Sequence, residues 1–407
     1  MRFATRIFPP AIALALAVVV DASETSFTEM LRTAALANGL LPTNQLFVDT
    51  DLQLASLGKQ FFESENLSIN GRISCRTCHL DNFSTTDGLP NAVGIFGFGE
   101  GPKRALSQGK IVPRNTLPLW GRGGKSFDVF FWDGKVDFSS NKTLSQFGLS
   151  VPSSDSLLTA VHLPPVEIRE MIDDDNDIST FKTESSEQAG QLYRRIVERL
   201  FATEYELMGN LANRLGKQIT DLEFLDVARS IAAFIRSEFR LRDTLFHRFV
   251  FGNGNLTPGE LQGGLIFYGK GKCVNCHTGP YFSDFGFHAV PFPQLGFGKN
   301  GFGVDYGRFN VTFNPSDLYK FRTPPLINVA KTPPYGHSGS IPTLRDAVVA
   351  HFDPIGFLDL DSMDLLARHE QFRRMAAVSE DFKLISVLND HEVTQVVSFL
   401  ETLSFRH

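Results

Sequence analysis

The chain has 407 residues, 42% of them hydrophobic and 21% charged, with a formal net charge of -6. That is the make-up of an ordinary soluble globular protein with material for two or three domains. The acidic balance, with no basic stripe, argues against nucleic acid as a partner.

The N-terminus reads Met1-Arg2-Phe3-Ala4-Thr5-Arg6, then an apolar run from Ile7 to Val20, then Asp21-Ala22. A charged start, an apolar middle and a small-residue end predict a cleavable signal peptide over residues 1–22, with an uncleaved anchor as the alternative. No other stretch is long and apolar enough to cross a bilayer. The expectation is a soluble protein exported to the periplasm.

Residues 23–45 read as a lead-in. From Thr50 a helix is expected, capped by Thr50 or Asp51, with Leu54, Leu57, Phe61 and Phe62 on one face. A loop follows to Cys75-Arg76-Thr77-Cys78-His79. Residues 81–130, rich in Gly, Pro, Ser and Phe, predict a long ordered loop region of the sort that lines a site. Asp173, Asp175, Asp177 and Glu184 mimic part of a calcium loop, but Ile178 stands where that loop needs Gly, so a solvated loop is expected. One long amphipathic helix is expected from Thr220 to about Phe249. Thr220 and Glu223 would box its start, and it would pack two domains together. Thr257-Pro258-Gly259-Glu260 opens a further helix that leads to Cys273-Val274-Asn275-Cys276-His277. The last helix is expected from Asn389 to near Ser404.

The two pentapeptides use all four cysteines. CxxCH is the pattern for covalent c-type haem attachment: two thiols add to the vinyl groups of one porphyrin and the adjacent His binds its iron. A pair of disulfides is the alternative. Leu57-Gly58-Lys59-Gln60-Phe61-Phe62 before the first motif compares with Gly263-Gly264-Leu265-Ile266-Phe267-Tyr268 before the second, and a glycine in each helix would permit close approach to a neighbour. This weak internal repeat predicts a mainly α fold: two tandem cytochrome c-like haem domains with long ordered loops, residues 23–200 and 201–407.

The sixth iron position decides what such a haem does. Near the first motif no ligand is obvious, which suggests an open iron; His162 or Met171 folding back is the alternative. After the second motif come His288, His337, His351, His369, His391 and His407, of which the last three read as surface residues. His351 closes the helical stretch from Thr343 and is placed to ligate, though a buried structural His fits equally well.

With these motifs, the chain resembles the di-haem cytochrome c peroxidases, including their MauG-like branch. The resemblance rests on Arg114-Asn115-Thr116, Phe131-Trp132-Asp133-Gly134, Pro164-Pro165 with Glu170-Met171, and Cys273 to Pro280. It continues through Phe321-Arg322-Thr323-Pro324-Pro325 to Pro334-Tyr335-Gly336-His337. It implies that the first haem is the peroxidatic one and that Glu170 overhangs it as acid–base catalyst. It implies Gln146 as a companion and Trp132 as the electron carrier between the haems. It further implies a calcium ion held by Asn115 and by backbone carbonyls of Thr332 and Pro334. Departures are visible too. His351 stands where the family has Met or Tyr, which predicts a bis-His second haem of lowered potential. Ile327 replaces a usual Arg and Ser338 a usual Asp.

Three functions follow in order. The first is an oxidoreductase that reduces hydrogen peroxide to water with electrons from a cytochrome c or cupredoxin, relayed from the C-terminal to the N-terminal haem. The second is MauG-like oxidation of Trp or Tyr on a partner protein. The third is a non-catalytic electron carrier, against which Glu170 argues. A homodimer would suit the family.

Overall fold

Two crossed helix pairs organise the fold, and a glycine sits at the crossing of each. In the computed structural model, which describes residues 26–139, 151–172, 186–380, 382 and 385–405, the longer helices in chain order are as follows. They are α1 (26–37), α2 (Leu52–Glu63), α3 (Ser156–Val161), α4 (Ser186–Thr203), α5 (Tyr205–Leu215) and α6 (Phe224–Glu238). Then come α7 (Leu245–Phe251), α8 (Pro258–Tyr268), α9 (Leu344–Ala350), α10 (Leu365–Ala376) and α11 (Asp390–Glu401). Strands are two residues long and pair only as antiparallel ribbons: β1 (Ala92–Val93) with β2 (Ile111–Val112), and β3 (Val129–Phe130) with β4 (Val136–Asp137). β5 (Phe287–His288) pairs with β8 (Phe321–Arg322), and β6 (Phe297–Gly298) with β7 (Gly301–Phe302).

α2 starts at Asp51, whose carboxylate accepts from the N–H groups of Gln53 and Leu54. It buries Leu54, Phe61 and Phe62 against α6. A Cβ on Gly58 would lie 1.8 Å from the Ser230 carbonyl oxygen, so only glycine permits this approach. The second pair repeats the device. α8 begins with the Thr257/Glu260 capping box, α11 with Asn389/Glu392, and a Cβ on Gly263 would lie 1.9 Å from the Gln395 carbonyl.

The helix expected over Thr220–Phe249 is two helices. α6 begins later, with Glu223 and Asp226 as its capping box, because Ile219–Asp221 forms a separate 3-10 turn. At Phe239 the chain turns out, its carbonyl accepting from the Gly121 N–H at 2.7 Å. Thr244 then caps α7 by accepting from the His247 N–H. The break divides the work: α6 packs on α2, whereas Phe246 of α7 packs on Phe399 at a ring separation of 4.9 Å.

The packing does not divide at residue 200. α6 completes the first unit. α1, although it opens the described chain, lies on the second: Leu31 meets Gly264, Arg32 Nε donates to the Phe249 carbonyl, and the Asn38 carbonyl accepts from the Gly279 N–H. The first unit is thus set between two pieces of the second. A buried ion triad joins them, with Arg114 bonded to Asp133 at 2.6 Å and to both oxygens of Asp305 at 2.9 Å. No helix among the described residues is long and apolar enough to cross a membrane. The expected signal peptide, Gln146 and the acidic run Asp173–Asp177 lie outside the described residues.

Candidate active site

Each CxxCH stretch begins as a short 3-10 turn, Cys75–Thr77 and Cys273–Asn275. The turn puts the His79 N–H 3.1 Å from the Cys75 carbonyl and the His277 N–H 2.9 Å from that of Cys273. All four cysteines are free thiols. Burial pushes those of Cys75 and Cys273 up to about 12, which suppresses thiolate chemistry at neutral pH.

The two histidines are held alike. Nδ1 of His79 bonds the Thr85 carbonyl at 2.8 Å, and Nδ1 of His277 bonds the Phe282 carbonyl at 3.0 Å. A ring N–H given to a carbonyl leaves Nε2 as a bare lone pair, the arrangement of a metal-binding imidazole. Burial lowers both rings to about 4, so both are neutral at pH 7, as ligation requires.

Behind each motif lies a cavity, of about 1390 Å³ behind the first and about 1370 Å³ behind the second, open mouths included. The first is lined by Cys75, Cys78, His79, Glu170 and Met171. His162 does not line it; its ring packs between Tyr193 and Phe224. The second is lined by Cys273, Cys276, His277, His337 and His351. Trp132 lines both, its Nε1 donating to the Asn115 carbonyl at 2.9 Å.

His351 follows the last turn of α9 and is anchored through Nδ1 to the Ala347 carbonyl at 2.6 Å. Its ring centroid stands 6.4 Å from that of His277. Two imidazoles on opposite sides of one metal, each bonded at about 2 Å, place their centroids about 6.3 Å apart. Free thiols, bare Nε2 atoms and largely apolar walls therefore fit a covalently held haem in each cavity, with room for one metal between His277 and His351.

The first cavity is the more polar. Burial, and then the charge of Glu167, push the Glu170 carboxyl up to about 7, against the opposing pull of Lys135 and Lys299. Glu167 itself pairs with Lys135 and lies 3.7 Å from Lys299; the two ammoniums outweigh its burial and hold it at about 2.

A family model described as di-haem cytochrome c peroxidase matches residues 52–255. The chain belongs to the di-haem cytochrome c peroxidase family. Membership brings two haems and places the chain among oxidoreductases that act on peroxide. It is 27% identical over 305 residues to the cytochrome c peroxidase Ccp of Escherichia coli K12, across 74% of this chain but only 53% of that protein. It is 26% identical over 418 residues to the methylamine utilization protein MauG of Paracoccus denitrificans, across 93% and 96% of the two chains. The di-haem peroxidase BthA of Burkholderia thailandensis shares the fold at a TM-score of 0.62, with 20% identity over 90% of this chain and 89% of that one.

Within this di-haem peroxidase frame, the structure gathers residues that the sequence did not single out. Glu167, Lys135 and Lys299 surround Glu170, and Lys299 arrives from the β6–β7 region of the second unit. Asn115 and Pro334 do meet, through an Nδ2–H to carbonyl bond of 2.7 Å. Thr332 lies two residues away, with its hydroxyl on the Val329 carbonyl.

Proposed function

We propose that this protein reduces hydrogen peroxide to water in the His79 cavity, with electrons from a small redox protein that enter on the His277 side. Bound haem supplies a redox-active iron at each site. The remaining work falls to the chain. His79 and His277 bind through Nε2, and the four cysteines anchor. His351 closes the second site, which makes that centre an electron store rather than a place for peroxide. Trp132, which lines both cavities, connects them.

The observation that carries the reading is Glu170. A carboxyl raised to about 7 holds both protonation states near neutral pH. It can therefore take the proton from one peroxide oxygen and return it to the other, so that water leaves. Burial sets that poise first, and Glu167, fixed by Lys135 and Lys299, adds to it. The calcium expectation needs the Asn115 amide turned so that its oxygen, in place of Nδ2, faces the Pro334 carbonyl. Periplasmic residence follows from the N-terminal stretch and from the chemistry of c-type attachment.

The test is optical and EPR spectroscopy of the ferric protein and of Glu170→Gln and His351→Met, with added peroxide. One low-spin bis-His centre, one open centre and steady turnover with a reduced cytochrome are expected. A long-lived oxidised state with poor turnover would instead favour oxidation of a partner protein. Two closed centres inert to peroxide would sink both catalytic readings, and an unchanged second centre in His351→Met would remove that ligand assignment.

A further inference from the structure

We propose that Arg122 and Arg322 are carboxylate-binding residues, one in each cavity, that hold the propionate groups of the two haems. The proposal rests on the haem-binding part of the reading above and not on its peroxide chemistry.

Arg322, on β8, is 1% exposed and lines the second cavity. Its Nε donates to the Phe131 carbonyl at 3.0 Å and its Nη1 to that of Thr323 at 3.3 Å, while Nη2 is buried without an acceptor. Arg122 is 8% exposed, lines the first cavity, and donates through Nε to the Pro118 carbonyl at 2.7 Å. Both guanidiniums lie against one phenyl ring, at 5.7 Å (Arg122) and 6.0 Å (Arg322) from the centroid of Phe127.

A buried cation without an anion is costly, and two side by side repel. Three other buried cations nearby are paired with carboxylates, Arg114 with Asp133 and Asp305, Lys135 with Glu167, and Arg308 with Asp137, while Arg104 spends its guanidinium on the Val93, Gly94 and Gly99 carbonyls. Neither Arg122 nor Arg322 has such a carboxylate among the described residues. The acid that Arg322 does feel, Asp284, is committed to His288 at 2.8 Å. Burial accordingly lowers Arg122 to about 10, and burial together with Arg122 lowers Arg322 to about 9. Each cavity thus holds one unsatisfied guanidinium, and the group that fits each cavity carries carboxylates. The guanidinium fork matches a carboxylate with two parallel N–H bonds. Because both forks rest on Phe127, charge at one site is felt at the other.

The test uses the intact protein and Arg322→Gln, Arg322→Lys, Arg122→Gln and Arg122→Lys. Attached haem is counted by mass and pyridine haemochrome, folding is checked by circular dichroism, and both midpoint potentials are measured by spectroelectrochemistry. Two haems are expected throughout. Arg322→Gln should lower the potential of the His277 centre, since an uncompensated propionate opposes the incoming electron, and Arg122→Gln that of the His79 centre. The Lys variants should keep most of the parent potentials. Unmoved potentials in both Gln variants, with two haems attached, would overturn the assignment. So would Lys shifts as large as the Gln shifts, which mark repacking and not lost charge. A parent chain without attached haem would instead overturn the haem reading itself.

Discussion

At the scale of single residues, Glu170 is the group whose surroundings matter most. General acid–base catalysis is worth about 10²–10⁴-fold, so Glu170→Gln should cost the peroxide reaction that much in kcat/KM, read by stopped-flow mixing. The neighbours set the pH at which this happens. Removing the like charge in Glu167→Gln should move the rising limb of the pH–rate profile to lower pH; Lys135→Gln should move it to higher pH. There is a stability side as well. A carboxyl raised from 4.5 to about 7 stabilises the fold below pH 4.5, and that contribution is lost as pH rises through 7. Glu170→Gln should therefore match the parent at pH 4 and exceed it at pH 9 by about 3 kcal/mol, at 1.36 kcal/mol per pKa unit. Denaturant titrations at the two pH values check this.

Legibility at this scale followed chain distance. CxxCH is a five-residue pattern whose chemistry is local, so it could be read directly. The position of His351 at the end of a capped helix could be read as well. The poise of Glu170 could not be read, since it depends on Lys135 and on Lys299 from the other unit, and no sequence spacing encodes a Coulomb contact across units. The same holds for Arg322, whose missing partner is evident only once its burial is known.

At the scale of elements, the crossed helix pairs make a sharp claim about two glycines. In an exposed helix, Gly→Ala gains about 0.5–1 kcal/mol. At Gly58 and Gly263 the added Cβ would fall 1.8 and 1.9 Å from a neighbour's carbonyl oxygen. Gly58→Ala and Gly263→Ala should therefore each destabilise, by about 1–3 kcal/mol of overpacking, in thermal or denaturant unfolding. The repeat of helix, glycine and CxxCH was readable because periodicity and caps are local signals. The division of one apolar stripe into α6 and α7 was not. The stripe runs through Phe239 to Phe249 in sequence, and the break is made by Gly121 taking the Phe239 carbonyl.

At the scale of the whole molecule, the Arg114–Asp133–Asp305 triad ties the two units. Burial alone would raise both carboxyls; the Arg114 guanidinium overrides it, holding Asp305 at about 2 and Asp133 well below the usual carboxylate range. Stability from this triad is present above the ordinary value of 3.8 and is lost as pH falls toward 2. Arg114→Leu, which strands two buried carboxylates, should cost about 3–5 kcal/mol at pH 7. Its deficit should shrink on acidification, measured as the unfolding midpoint between pH 7 and 3.

The placement of α1 has a consequence in time. A chain made N-terminus first presents Leu31 and Arg32 long before Phe249, Gly264 and Phe399 exist to receive them. The stretch from α2 to α6 holds its own crossed pair and can close while the rest is still emerging. The second unit must wait for α1 from one end of the described chain and α11 from the other, so the His277 cavity is assembled last, against a His79 cavity that is already shaped.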